Sequence, residues 1–177
     1  MSMTLEEVRR QIDVVDTQMK PLFLSRMECA KNVAIAKSKT GGNVFVPSRE
    51  REIIAKRTED AGEVKAQYTE FLRHLMTMSR VYQYGFLTPI QEEVLAGATQ
   101  EDPEKVKVSF TVNEQETYMN LFLNVLQVNG IVIEEFCAKR DGDKMLVSAT
   151  LRGSLKTPEM RRAMSQIGKE AYDLTIR

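Results

Sequence analysis

Apolar or small residues recur in alternating steps of three and four at Leu5, Val8, Ile12, Val15, Met19, Leu22, Cys29, Val33 and Ala36. This spacing keeps them on one side of a 3.6-residue helix and predicts a single helix over residues 5 to about 39, packed along its length. Thr4 is placed to cap it, and Glu6 and Glu7 suit the positive end of its dipole. Pro21 predicts at most a bend near residues 17 to 21, because the pattern passes it in phase. Gly41-Gly42 ends the helix. After a short extended piece, residues 43 to 46, a second helix is expected from Pro47-Ser48, with Ser48 as N-cap, stopping before Gly62. A third runs over about residues 64 to 87, its seam marked by Val64, Tyr68, Leu72, Leu75, Ser79, Tyr82 and Phe86.

The pattern then changes. Residues 88 to 105 read as a connector, with a short helix from Pro89 through Leu95 and then the turn-rich run 97–103. Beyond it, alternation takes over: Val106, Val108, Phe110 and Val112 read as a strand, residues 116 to 128 as an amphipathic helix stopped at Asn129-Gly130. Residues 131–138 and 145–151 form two strands around the hairpin signal Asp141-Gly142. Thr157-Pro158 opens a helix to about Glu170, N-cap followed by proline at the first helical position, and residues 172–176 form a last strand. Strand, helix, strand, strand, helix, strand is the ferredoxin-like βαββαβ order. The fold class expected is therefore multidomain, α and α+β: a helical unit over 1–88, a linker over 89–104 and a βαββαβ unit over 105–177.

Within the helical seams the polar exceptions carry the chemistry. Arg26 falls where an apolar residue is due between Leu22 and Cys29, and a guanidinium there must find a counter-charge or face a cavity. Lys37, eleven residues on, projects from nearly the same face roughly 16 Å along the axis. Arg9 is about 25 Å from Arg26 and turned to another side, so it can serve the same pocket only from a second copy of the chain. Arg49 and Glu50 lie in the first turn of the second helix, beside unpaired backbone N–H groups. In the third helix Ser79 interrupts the seam, and Gln83 shares its face four residues later.

The 25 basic residues are balanced by 25 acidic ones among 177, so no global field points to nucleic acid or a membrane surface, and any anion site must be local. Cys29 and Cys137 lie in apolar patterns and read as buried thiols of a reducing compartment. With no signal segment and no run of eighteen apolar residues, the expected location is cytoplasmic. His74, the single histidine, reads as a partly exposed helix residue, and it has no metal-ligand spacing with either cysteine, so neither a metal nor a His-based triad is expected.

The ordered set Arg9 in Val8-Arg9-Arg10-Gln11-Ile12-Asp13, Arg26, Lys37 in Ala36-Lys37, Arg49-Glu50 after Pro47-Ser48, and Ser79 with Gln83 resembles the all-helical chorismate mutase family. The resemblance implies an isomerase that converts chorismate to prephenate in aromatic amino acid (Phe/Tyr) biosynthesis, without cofactor. It implies an intertwined homodimer in which each long helix lends Arg9 to its neighbour. Arg26 and the lent Arg9 would clamp the two carboxylates with Ser79 and Arg49 in support. Lys37 and Gln83 would donate to the ether oxygen, and Glu50 would accept from the substrate hydroxyl. Val46 stands where enterobacterial members carry an aspartate, a contact to the hydroxyl region that is often made by backbone. Two other activities fit the same pattern: pyruvate elimination from isochorismate, by relatives that share the arginine clamp, and non-catalytic sensing of an amino acid.

By element order, residues 105–177 resemble an ACT-type module, which implies regulation by an aromatic amino acid or a role in dimerisation alone. Such modules bind through a glycine-containing turn after the first strand; here that turn reads Asn113-Glu114-Gln115-Glu116, without glycine.

Overall fold

The protein, seen in a computed structural model that describes residues 3–40, 42–113 and 119–177, is a helical unit joined to an α/β unit. Helix α1 spans Leu5–Thr40, α2 Pro47–Arg57 and α3 Lys65–Tyr84, with a short 3-10 turn at Gly62–Val64 before α3. Then come α4 (Thr88–Leu95), β1 (Lys105–Asn113), α5 (Met119–Val128), β2 (Val132–Asp141), β3 (Lys144–Arg152), α6 (Pro158–Glu170) and β4 (Tyr172–Ile176). Among the described residues no helix is long and apolar enough to cross a membrane. The turn at 114–116 and the expected start of α5 at Glu116 lie outside the described residues.

Helix α1 begins at a capping box: Glu7 N–H donates to Thr4 Oγ1 at 3.3 Å and Thr4 N–H to Glu7 Oε2 at 2.7 Å. The reciprocal bonds hold the Glu7 carboxyl below its ordinary pKa, the backbone bond from Thr4 first. The helix is continuous through Pro21.

Four expectations are corrected. Ser48 is not the cap of α2: Val46, in extended conformation at φ −132°, holds that position without a side-chain cap bond, and Pro47 opens the helix. Proline's preset φ suits the first helical residue, which moves the start one place forward. The α1 seam is not covered along its length. Within one chain only Ala30 and Ala34 are buried, while Leu5 is 66% and Leu22 71% exposed. The cause is that α3 bridges to α1 near Arg26, leaving the N-terminal stripe bare. In α3, the buried residues are Leu72, Met76, Thr77, Ser79, Arg80, Val81, Gln83 and Tyr84, whereas Tyr68 and Tyr82, and Val64 and Phe86 just beyond its ends, are exposed. The helix packs on α1 on one side and on α5 and α6 on another, so its buried face is turned from the expected seam. Finally, both cysteines are exposed. Cys29 lies on the bare side of α1, and Cys137 on the edge strand β2, whose open face no helix of the described residues covers.

The sheet order is β2-β3-β1-β4, with every neighbour antiparallel. On β1, Val106, Val108, Phe110 and Val112 point to the helices, opposite Leu151, Ala149, Val147 and Met145 of β3. The β2 register slips between Ile133 and Glu135. This bulge brings Phe136 opposite Ala149, onto the helix side, where its ring stacks on Phe122 with centroids 5.9 Å apart. Gly142, at φ +64°, takes the first turn position between β2 and β3, which a side chain would resist. Thr157 caps α6 by accepting from Met160 N–H at 3.3 Å.

The two units share a core. Val81 of α3 belongs to the same buried cluster as Phe110, Leu126, Met160 and Ile167. Helix α4 lies close on α6 at Gly168: a Cβ there would meet Val94 Cγ1 at 2.6 Å, so glycine is what allows the approach. Lys169 Nζ reaches Glu93 Oε1 at 2.7 Å beside it.

Candidate active site

Arg26 comes from the middle of α1 and is half-buried against α3. Its Nη1 donates to the Leu75 carbonyl at 3.2 Å and to Ser79 Oγ, which in turn donates to the Leu75 carbonyl at 2.9 Å. These partners are neutral, and among the described residues Arg26 has no ion pair. Burial and the neighbouring Arg57 pull its pKa down, against Glu50. Lys37, one face and three turns along α1, donates to the Asn43 and Val44 carbonyls of the loop before α2. It too has no carboxylate partner among the described residues. Burial and Arg49 lower its pKa, again against Glu50.

Two desolvated cations held by neutral oxygens, with Arg49 and Arg57 close enough to be felt, leave a local excess of positive charge. Such a site favours an anion, because the cost of stripping water from each cation is only partly offset by Glu50. The excess forms although the whole chain is neutral, which is why composition alone is silent about it.

Ser79 and Gln83 lie one turn apart on α3 and are both buried. Among the described residues the Gln83 Oε1 has no hydrogen-bond partner. A buried amide end without a partner costs about 1–3 kcal/mol, which a ligand can recover. A half turn about the last side-chain bond exchanges that oxygen for the N–H₂ group, so the same position can accept or donate.

Glu50, in the first turn of α2 and about a quarter exposed, is bound by Arg80 Nη1. Arg80 escaped sequence reasoning. A signal was there: Leu72, Met76, Arg80 and Tyr84 repeat every four residues, and a cation on that row is as anomalous as Arg26 in the first helix. Val46 and Arg49 flank Glu50 at the exposed mouth. His74 is exposed, its Nδ1 2.9 Å from Asn124 Nδ2, away from this cluster.

The fold thus brings Arg26 to Ser79 and places Lys37, Arg49 and Glu50 within electrostatic reach of one another. It does not bring Arg9 to them. Arg9 is exposed on the bare half of α1, about 25 Å of helix rise from Arg26.

Residues 8–84 match the family model described as chorismate mutase type II, a stretch that takes in nearly all of α1, then α2 and α3. The match ends at the last residue of α3, and the α/β unit lies beyond it. No curated protein matches the chain.

Proposed function

We propose that the protein is a homodimeric chorismate mutase that converts chorismate to prephenate. The observation that carries this reading is the pair Arg26 and Lys37, both partly withdrawn from water and both without a direct ion pair among the described residues, inside the segment that matches the family. The reaction is a pericyclic rearrangement of a dianion. It needs no proton transfer and no bond to the enzyme, only a folded substrate and stabilisation of charge growing on the ether oxygen.

Arg26 fits one substrate carboxylate, since its planar fork binds an anion twice and Ser79 fixes its orientation. The second carboxylate falls to Arg9 of the partner subunit, with Arg49 in support. Lys37 and Gln83 donate to the ether oxygen, and Glu50 accepts from the ring hydroxyl, near the Val46 backbone. The apolar stripe on the N-terminal half of α1 supports dimerisation. Stable monomers rarely expose such a continuous strip, and a second copy would cover it while delivering Arg9. An ACT-like role for the α/β unit, with an aromatic amino acid as effector, is supported by its sheet order alone.

The test is loss of chorismate and appearance of prephenate by absorbance, with isochorismate supplied in parallel. Arg9→Ala and Arg26→Ala chains are each expected to be inactive as homodimers. Co-refolded in equal amounts, they should regain about a quarter of parental activity, because half the dimers then carry one intact pocket of two. If the mixture stays inactive, Arg9 does not act across the interface.

The pH dependence has a defined sign. Lys37 must be protonated to donate, and its pKa is lowered, so kcat/KM is full below that pKa. It should fall as pH rises through it, earlier than for a free lysine. Lys37→Arg, always charged, should be slower but lack this alkaline limb. The same limb in Lys37→Arg would show that another group titrates.

A further inference from the structure

We infer that Arg80, held by Glu170 of the α/β unit, positions the Glu50 carboxylate in the candidate active site, so that the second unit is built into the site. This rests on the mutase reading for the role of Glu50, and on geometry for the link itself. The Arg80 side chain is 2% exposed. Its Nη1 binds Glu50 Oε1, its Nε donates to Glu170 Oε1 at 2.7 Å, and its Nη2 to Thr77 Oγ1 at 3.3 Å. The Phe45 ring covers the guanidinium face at 4.7 Å. Glu170 is the last residue of α6, and Gln166 Nε2, one turn earlier, donates to the same Oε1 at 3.0 Å.

All three guanidinium nitrogens are thus engaged, one of them by a helix from the other unit. Glu50 needs such a hold. Helix α2 buries no residue and lacks a side-chain cap, so little else restrains its first turn. Glu50 remains partly exposed, which leaves a ligand hydroxyl a way to the carboxylate. Neither Arg80 nor Glu170 needs to touch substrate; both are positioning residues. The α/β unit, lying wholly outside the matched segment 8–84, supplies Glu170.

The test is a double-mutant cycle on the full chain. Glu170→Ala should lower kcat/KM for chorismate on the order of tenfold, since small misplacements of a binding group cost that much or more. Glu170→Gln, which keeps an acceptor for Nε, should lie between Ala and the parent. In a Glu50→Gln background the same Glu170 substitutions should change kcat/KM by less than about twofold, because the group they position is already altered. Circular dichroism at the assay temperature establishes that each variant is folded. A Glu170→Ala penalty of equal size in both backgrounds, or none in either, overturns the inference. If the parent itself does not turn over chorismate, the mutase reading fails separately, and the link is read from urea unfolding. Non-additive midpoints for Glu50→Gln and Glu170→Gln then uphold it, and additive ones overturn it.

Discussion

Arg26→Ala is expected to lower kcat/KM by two to three orders of magnitude, about 2.7–4 kcal/mol of transition-state stabilisation, the size typical of losing one preorganised charge donor. The structure gives the physical reason. Arg26 is already partly desolvated, yet its hydrogen-bond partners are a hydroxyl and a carbonyl, and Glu50 acts on it only at a distance, so most of its attraction for an anion is left. Ser79 keeps the guanidinium oriented before substrate arrives, so little reorganisation is needed on binding. Removing the side chain leaves Ser79 bonded to the Leu75 carbonyl at 2.9 Å, a satisfied hydroxyl, so the fold should tolerate the change. The decisive comparison is therefore activity against unfolding midpoint in the same variant. Catalytic efficiency within threefold of the parent would remove Arg26 from the reaction. Arg26→Lys should recover only part of the loss, since an ammonium cannot make the paired contact.

The second large effect is on stability. Arg80→Leu should cost about 3–5 kcal/mol, the range for removing one partner of a buried ion pair, because Glu170 stays behind in the interior. Burial alone would pull the Arg80 pKa down; Glu170 and Glu50 together reverse this and hold it charged. Burial pushes the Glu170 carboxyl up, against the downward pull of Arg80. The sign for pH follows. A carboxyl whose folded pKa lies above its unfolded value favours the fold below the unfolded pKa and loses that contribution as pH rises through the folded one. Without Arg80 the Glu170 pKa rises further, so Arg80→Leu should regain stability on acidification more steeply than the parent does. Adding Glu170→Leu should restore most of the lost stability at neutral pH, since an apolar pair of similar volume often replaces a buried ion pair without loss. Urea unfolding of the three proteins at two pH values measures all of this. Equal midpoints for Arg80→Leu and the parent would mean that Glu170 finds another partner.

Much of the molecule could be read from residue spacing. The long helix, the capped start of α6, the hairpin at Gly142 and the last strand fall where the local signals put them, because each depends on neighbours within a turn or two. The β1 alternation marked the inward residues for the same reason. Arg26 and Lys37 were legible as well: a cation in an apolar stripe is an anomaly on one helix, and eleven residues of helix return to the same face.

What spacing could not supply was the identity of the covering surface. The rows of α3 were ambiguous until α1, α5 and α6 were in place, so a seam through Tyr82 and Phe86 looked as good as the true buried row through Met76, Arg80 and Tyr84. Cys29 and Val33 carry the marks of a core stripe but lie bare in a single chain. The Arg80–Glu170 bond joins residues 90 positions apart, on helices of different units. Local periodicity says that a face will be buried; the partner that buries it is chosen by the packing of distant elements, and here that choice set the surroundings of Glu50.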